Sequence, residues 1–180
     1  MHIKSKGKTL LFLKRKFNVP DLIVVNSNYF LKNNELIINK VKKKFLNKKI
    51  AIRSSSSDED TIKKSNAGKY KSFLNISLKN KQNVILKVLE VIKSYRNKDE
   101  NNEVIFQKML TDVKISGVCT TVDIHNHLPI ITINYYKGNN TEIITSGKEN
   151  STSFSISDKK YLSQKNIFYP LILQVEKLKK

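Results

Sequence analysis

The pattern of apolar and polar positions in the first hundred residues alternates between helical periods and short continuous apolar runs. Helical spacing of apolar residues predicts helices over residues 8–17, 34–45 and 77–97, with a further short turn of helix that ends at Leu31. The apolar runs Leu22–Val25 and Ile50–Ile52 predict short buried strands. We therefore predict an N-terminal lobe that contains both helices and strands.

From Val104 onwards the pattern changes to one that is typical of strands. Apolar and β-branched residues predict strands over residues 104–110, 116–123, 129–136, 141–145 and 152–156, with turns at 125–128, 138–140 and 147–150. Residues 157–180 predict a closing helix, which Pro170 can interrupt. We expect an α/β (α+β) chain with two lobes: an α/β lobe over residues 1–100 and a β-rich lobe, ending in a helix, over residues 101–180.

The balance of charges is strongly basic. The 180 residues include 34 lysines and arginines against 15 aspartates and glutamates, which gives a formal net charge of +19. Such a charge can indicate a nucleic-acid partner. However, arginine occurs only at Arg15, Arg53 and Arg96, and the lysines are spread along the whole chain, so a solvated surface explains the charge better than a dedicated patch. We do not expect nucleic acid as a partner, and keep a basic nucleic-acid-binding module as the alternative.

The sequence does not favour a membrane-spanning protein or a protein with disulfide bonds. No apolar run reaches the roughly 18 residues that a membrane-spanning helix needs, and the N-terminus lacks the pattern of a signal peptide. The single cysteine, Cys119, excludes an internal disulfide and is interpreted as a small core residue. We expect a cytoplasmic protein with no membrane partner.

Polar residues between positions 53 and 75 form the stretch with the most chemical content. Arg53 follows the predicted strand at Ile50–Ile52, and serines and the acidic triplet Asp58–Asp60 come next. A second polar turn contains Gly68 and leads to Ser72. An arginine at a strand end, a loop rich in hydroxyls and a glycine turn suit a polyanion that is bound by backbone N–H groups and a guanidinium group. From composition alone, a solvated serine-rich loop with a helix cap is the simpler interpretation.

The order and spacing of these residues resemble the N-terminal ATP-binding domain of the phosphoenolpyruvate synthase and pyruvate phosphate dikinase family, whose relatives include rifampin phosphotransferase and capsular glutamine kinase. The family pattern runs roughly V-R-S-S-A-x-x-E-D-x-x-x-x-S-x-A-G-x-x-x-[ST]-x-L-N. Without a gap, it matches Arg53, Ser54, Ser55, Glu59, Asp60, Ser65, Ala67, Gly68, Ser72, Leu74 and Asn75. Further matches in order extend the resemblance from about Lys6 to the last helix, at Gly7, Lys8, Gln107, Met109, Ser116, Gly117, Val118, Thr121, Asp123, Gly138, Ser146 and Gly147.

The resemblance implies an ATP-grasp-like nucleotide-binding domain with a mixed or antiparallel sheet and flanking helices. In such an enzyme, ATP phosphorylates a histidine on a mobile domain, which passes the phosphate to a small acceptor such as pyruvate or glutamine. The resemblance implies that Arg53 is catalytic and that the nucleotide is bound by Lys8, Arg53, Gly68, Ser72 and Gln107, with Gln107 facing the adenine. Positive charges and hydroxyl donors at these positions suit the charge that builds up during phosphoryl transfer.

Two other motifs are weaker indications of function than the stretch around Arg53. Gly7-Lys8-Thr9 is similar to the end of a P-loop, but His2 occupies the position where a P-loop needs its first glycine. Asp123, His125 and His127 would share one face of a continuous strand and could bind zinc or iron. The neighbouring Pro129 indicates a hairpin turn instead, so we predict no metal site in this chain.

The resemblance also implies ATP and Mg²⁺ as cofactors. In the family, the glutamate and glutamine that hold magnesium lie beyond the helix that ends this sequence, as do the phosphohistidine and acceptor-binding domains. We therefore expect those domains as partners in a full-length enzyme. We expect residues 1–180 alone to bind ATP weakly and to be inactive, since magnesium needs near-octahedral oxygen coordination. A catalytically inactive fragment is the remaining alternative.

Overall fold

The computed structural model describes residues 5–56, 60–61, 64–65, 70–97, 99–123, 127–139 and 151–178. The chain divides into two compact units, Met1–Leu110 and Thr111–Lys180. The first unit contains α1 (Lys6–Leu13), β1 (Leu22–Asn26), α2 (Ser27–Lys44), β2 (Ile50–Ser55), β3 (Asp60–Thr61), β4 (Lys64–Ser65), β5 (Ser72–Ile76), α3 (Lys81–Ser94) and β6 (Glu103–Lys108). The second contains β7 (Ile115–Thr120), β8 (Ile131–Lys137), β9 (Thr152–Ile156) and α4 (Tyr169–Leu178).

The first unit is built on a four-stranded antiparallel sheet with the order β1-β6-β2-β5. Strand β6 lies between β1 and β2, with Ile105 opposite both Val24 and Arg53. Because β6 belongs to this sheet, the first unit continues to Leu110, beyond the boundary predicted at residue 100. The strands β3 and β4 form a separate two-stranded ribbon.

One face of the four-stranded sheet forms the hydrophobic core with α2 and α3. Every second residue of β2 and β6 points to this face, and Ile52, Val104 and Phe106 are fully buried. The core cluster of buried residues comprises Val25, Phe30, Ile37, Ile38, Val41, Phe45, Ile50, Ile52, Leu78, Val84, Ile85, Val88, Val91, Val104 and Phe106. The apolar stripes predicted for the second and third helices therefore face the sheet.

Helix α2 joins two segments that the sequence predicted as separate. It begins after Asn26, whose side chain accepts a hydrogen bond from the backbone N–H of Tyr29 at 3.1 Å. Asn33 has non-helical backbone angles, φ −135° and ψ 34°, and its side-chain amide donates to the carbonyl of Tyr29 at 3.1 Å. An asparagine side chain that bonds to the preceding turn competes with the helix backbone, so the predicted break is a kink rather than an end.

The second unit packs α4 against an antiparallel sheet with the order β7-β8-β9. The ring of Phe168 meets Tyr135 edge-on, with 4.7 Å between centroids. The buried core of the second unit consists of Ile131, Ile133, Leu162, Phe168, Ile172 and Val175. Cys119 is half-buried and packs against this core, in agreement with the structural role predicted for it.

The last helix is shorter than predicted. It covers Tyr169–Leu178, so the predicted helix over residues 157–168 was wrong; those residues form turns and a short 3₁₀ segment at Lys159–Tyr161. Pro170 lies in the first turn of α4, where a missing backbone N–H breaks no helical hydrogen bond. The predicted strand at 141–145 lies outside the described residues.

Helices and antiparallel sheets in both units confirm the predicted α/β class, and are consistent with an ATP-grasp-like nucleotide-binding domain. The predicted strands at Leu22–Val25, Ile50–Ile52 and 152–156 are all present. None of the helices in the described part of the chain has the length and apolar character needed to cross a bilayer.

The packing of α2 predicts opposite outcomes for two alanine substitutions on the same helix. Ile38 is completely buried, whereas Leu36 is 59% exposed. Removing buried methylene groups leaves a cavity, so Ile38→Ala should lower the free energy of unfolding by about 2–5 kcal/mol. Leu36→Ala should change it by less than about 0.5 kcal/mol. Urea unfolding followed by circular dichroism measures both, and equal losses would contradict the assigned face of the helix.

Candidate functional site

Most of the candidate residues lie on the face of the first unit's sheet that is opposite to its core. Residues that are directly opposite each other in an antiparallel sheet point to the same face. Arg53 is opposite Ser72 on β5 and Ile105 on β6, and Gln107 is opposite Ala51. Since Arg53 and Ala51 are two residues apart on β2, all of these side chains belong to one face. We call it the site face.

Helix α1 begins on the site face. The backbone N–H of Gly7 donates a buried hydrogen bond to Ser55 Oγ at 2.8 Å. A Cβ atom on Gly7 would lie 2.7 Å from Val24 Cγ1 and 3.0 Å from Glu103 Oε2, so the helix backbone rests directly on the sheet. Ser55 follows Arg53 by two strand positions, about 7 Å. The first turn of α1, which includes Lys8, therefore begins close to Arg53.

A carboxylate anchors this helix start. Glu103 Oε2 accepts hydrogen bonds from Ser5 Oγ at 2.7 Å and from Ser55 Oγ at 3.2 Å. Ser5 is also the N-cap of α1, and its hydroxyl oxygen accepts from the N–H of Lys8 at 3.2 Å. A negative charge is favourable at a helix N-terminus, where backbone N–H groups carry partial positive charge. Glu103 thus connects α1, β2 and β6 through one group.

The Tyr95 side chain connects the end of β2 to the start of β6. Its hydroxyl accepts a hydrogen bond from the N–H of Ser55 at 3.2 Å and donates one to the carbonyl of Glu103 at 2.5 Å. The ring meets Tyr70 edge-on, with centroids 5.3 Å apart. The phenol therefore bridges backbone groups of β2 and β6 beside the start of α1.

Arg53 carries a polar group that lacks a partner. Its side chain is half-buried, and Nε is buried without a hydrogen-bond partner among the described residues. A buried donor without a partner costs about 1–3 kcal/mol. An oxyanion from outside the protein would satisfy it, because the planar guanidinium group suits phosphate and carboxylate oxygens. Lys8 and Ser72 are exposed, so a positive charge and a hydroxyl are accessible in the same region.

The structure thus brings together four of the five predicted site residues. Arg53, Ser72 and Gln107 share the site face, and α1 brings Lys8 to that face. Gln107 is half-buried, whereas Lys8 and Ser72 are exposed. Gly68 lies outside the described residues.

Sequence reasoning missed Ser5, Tyr95 and Glu103. Ser5 directly precedes Lys6-Gly7-Lys8, and a serine before a helical segment is a recognisable cap signal. Nothing local indicates Glu103, because its contact with Ser5 joins residues that are 98 positions apart. The same is true of Tyr95, which the sequence identified only as part of an amphipathic helix.

The described residues do not fit a magnesium ion that is held by several protein carboxylates. No group of three or more histidine, cysteine, aspartate or glutamate residues occurs among them. Glu103 already accepts two hydrogen bonds from serines, and magnesium requires further oxygen ligands in near-octahedral geometry. Asp123 and His127 lie in a turn, in which the N–H of His127 donates to the carbonyl of Asp123 at 3.0 Å. His125 lies outside the described residues.

Ion pairs with lysines shift the pKa values of two carboxylates in the first unit. A hydrogen bond from Lys14, together with its charge, lowers the pKa of Asp21, which precedes β1. Hydrogen bonds from Lys87 and Lys71 lower the pKa of Glu90 on α3. Asp21 and Glu90 pair with these lysines rather than with Arg53.

These features define an α/β protein whose antiparallel sheet has a half-buried arginine beside the start of a helix. The family model described as pyruvate phosphate dikinase, AMP/ATP-binding domain, matches residues 31–167. The chain belongs to this family, and the resemblance drawn from its motifs is confirmed. The matched range includes Arg53, Ser72 and Gln107, whereas Lys8 precedes it. No curated protein matches the chain.

The close approach of α1 predicts an unusual effect of an alanine in a helix. Glycine to alanine in a helix normally stabilises it by about 1 kcal/mol. At Gly7 the added Cβ would meet Val24, Glu103 and Ser55 at 2.7–3.2 Å, so Gly7→Ala should instead lower the free energy of unfolding by about 1–3 kcal/mol.

Asn39→Ala, on an exposed position of α2, is the matched control and should stabilise the protein slightly. Denaturant unfolding measures both variants, and hydrogen exchange at α1 locates the effect. A stabilising Gly7→Ala would show that α1 does not rest on the sheet as described.

Proposed function

We propose that the site face binds the triphosphate of ATP, and that the chain is the nucleotide-binding part of a dikinase-type phosphotransferase. In this proposal ATP phosphorylates a histidine on a separate mobile domain, which then transfers the phosphate to a small acceptor such as pyruvate or glutamine. Membership of the AMP/ATP-binding family supports ATP as the ligand. The single structural observation that carries the proposal is the buried Nε of Arg53 on the site face, which has no hydrogen-bond partner among the described residues.

Each candidate residue has a distinct task in this proposal. Arg53 donates hydrogen bonds to phosphate oxygens and neutralises the charge that increases as the phosphoryl group leaves. Lys8 adds a mobile point charge at the start of α1, and Ser72 supplies a hydroxyl. Gln107 is half-buried on the same face, and its amide can donate to and accept from the edge of an adenine.

Glu103 is a positioning residue in the same proposal. Its carboxylate accepts hydrogen bonds from Ser5 and Ser55, and so holds the first turn of α1 on the sheet. Positioning matters because a displacement of about 1 Å in a phosphoryl-transfer site can lower the rate about a hundredfold. Lys8 follows the anchored Gly7 directly, so its direction depends on that anchor.

Arg53→Ala tests the phosphate contact. Removing a charged hydrogen-bond donor from a phosphate costs about 1.5–3 kcal/mol, so the affinity of the chain for ATP should fall by about tenfold or more. Arg15→Ala removes the same charge from an exposed position and is the matched control; it should change the affinity by less than about twofold.

Chemical-shift titration by NMR measures these affinities even if binding is weak. In an enzyme that contains the complete domain set, Arg53→Ala should also slow ATP-dependent phosphorylation. The expected loss of transition-state stabilisation is about 2–4 kcal/mol. Equal affinities for Arg53→Ala and Arg15→Ala would remove Arg53 from the site.

Gln107 can be tested separately from the phosphates. If its amide contacts adenine, Gln107→Ala should weaken ATP and adenosine by the same factor, about threefold to tenfold. Arg53→Ala should weaken ATP but not adenosine, which has no phosphate. The measurement is therefore the dissociation constant of each ligand, ATP and adenosine, for each variant. An adenosine affinity that is unchanged in Gln107→Ala would exclude the adenine contact.

A further inference from the structure

A surface groove of about 660 Å³ lies where β2 begins and β5 ends, on the first unit. Its lining comes from the last turn of α2, from the connection between α2 and β2, and from the connection between β5 and α3. We call it the lysine groove; its lining residues are Lys42, Leu46, Asn47, Lys48, Lys49, Ser77, Leu78 and Lys79.

The lysine groove concentrates positive charge without a compensating carboxylate. Half of its lining residues are lysines, and none is an aspartate or glutamate. Across the described part of the chain, no carboxylate lies within ion-pair distance of these four lysines, whereas Lys81 on the adjacent α3 is paired with Glu35 at 3.2 Å. Like charges that converge on one concavity repel each other. An anion between them would remove this cost.

The backbone around the groove is held in place. The N–H of Lys48 donates to the carbonyl of Phe45 at 2.9 Å, and the carbonyl of Lys49 accepts from the N–H of Met109 at 3.0 Å. Asn47 adopts a left-handed conformation, with φ 57°, at this turn. Leu78 is only 7% exposed and forms an apolar base. The lysine side chains therefore project from a defined frame.

The lining of this groove contains none of the predicted nucleotide-site residues. Its walls include α2, which packs on the core face of the sheet, and Leu78 belongs to that core. Arg53 points to the opposite face and lies three residues, about 10 Å, beyond Ile50 at the start of β2. None of the lining residues is a proposed nucleotide contact, although Gln107, opposite Ala51, is nearer to the groove than Arg53 is.

We propose that the lysine groove binds a small polyanion with several phosphate groups, as a second anion site of this chain. Its volume of about 660 Å³ is within the range of roughly 300–1,000 Å³ that small-molecule sites have. Lysine ammonium groups bind phosphates as point charges, and the Ser77 hydroxyl can add a donor. A small ligand fits better than a nucleic-acid backbone, because the four lysines line one concavity of limited volume and no arginine lines it.

The test uses the 180-residue chain and inorganic triphosphate, with NMR titration at about 0.15 M salt. Arg53→Ala is the background, so that binding at the site face is weaker by about tenfold or more. We expect shifts of the Ser77 and Leu78 amides. We also expect the triple variant Lys48→Gln, Lys49→Gln, Lys79→Gln to weaken this binding by about tenfold. The control triple Lys32→Gln, Lys93→Gln, Lys137→Gln removes the same charge from exposed positions elsewhere and should weaken it by less than about twofold.

Three results would overturn the proposal. Equal weakening by both triple variants would mean that only the net charge attracts the triphosphate. An absence of shifts around Ser77 in the Arg53→Ala background would mean that triphosphate does not bind in the lysine groove. Tighter binding of a single-stranded oligonucleotide through the same three lysines would assign the groove to nucleic acid. None of these results depends on whether ATP binds at Arg53, so failure here and failure of the proposed nucleotide site are distinguishable.

Discussion

Pairing of β6 with both β1 and β2 is the constraint on which the first unit depends. This central strand contributes Val104 and Phe106 to the core face, and Glu103 and Gln107 to the site face. Because side chains alternate along a strand, a shift of one residue in its register would exchange the two faces. The buried core residues of β6 exclude that shift, since it would move Val104 and Phe106 out of the core. Packing of Val104 and Phe106 in the core thereby favours the register that puts Glu103 and Gln107 on the opposite face.

The site face contains two charged side chains in partly buried settings, Glu103 and Arg53, and they differ in how their polar atoms are satisfied. Glu103 is a carboxylate in a partly buried setting, but two serine hydroxyls and the start of α1 compensate its charge. Arg53 Nε remains unpartnered in the described structure, which a folded protein tolerates at a cost. Local costs of this kind concentrate at functional sites, where a ligand can recover them. The two groups therefore differ: Glu103 has hydrogen-bond partners on β2 and before α1, whereas Arg53 Nε has none among the described residues.

The net charge of +19 has two different physical consequences in this chain. Most lysines are exposed and spread over the surface, where water and salt screen them and their positions carry little information. In the lysine groove the fold brings Lys42, Lys48, Lys49 and Lys79 together. Composition alone cannot separate the two cases, because the groove depends on how α2, β2 and β5 meet.

The sequence by itself determined the fold class, the family and most of the elements. Periodic apolar residues marked α2, α3 and the strands at Leu22 and Ile50, because local patterns depend only on which face is buried. The ungapped block around Arg53 identified the nucleotide-binding family, which the family match over residues 31–167 confirms. The sequence pattern predicted a last helix that is too long, since the apolar residues of 157–168 pack in turns rather than in a helix.

Tertiary structure alone decided how the pieces of the site meet. The insertion of β6 between β1 and β2 set the extent of the first unit, and no local pattern encodes which strands pair. The contact of Ser5 with Glu103 spans 98 residues, and the close approach of Gly7 to Val24 is visible only once α1 lies on the sheet. Local sequence patterns specify which face of an element is buried, whereas contacts between distant residues depend on the packing of the whole unit.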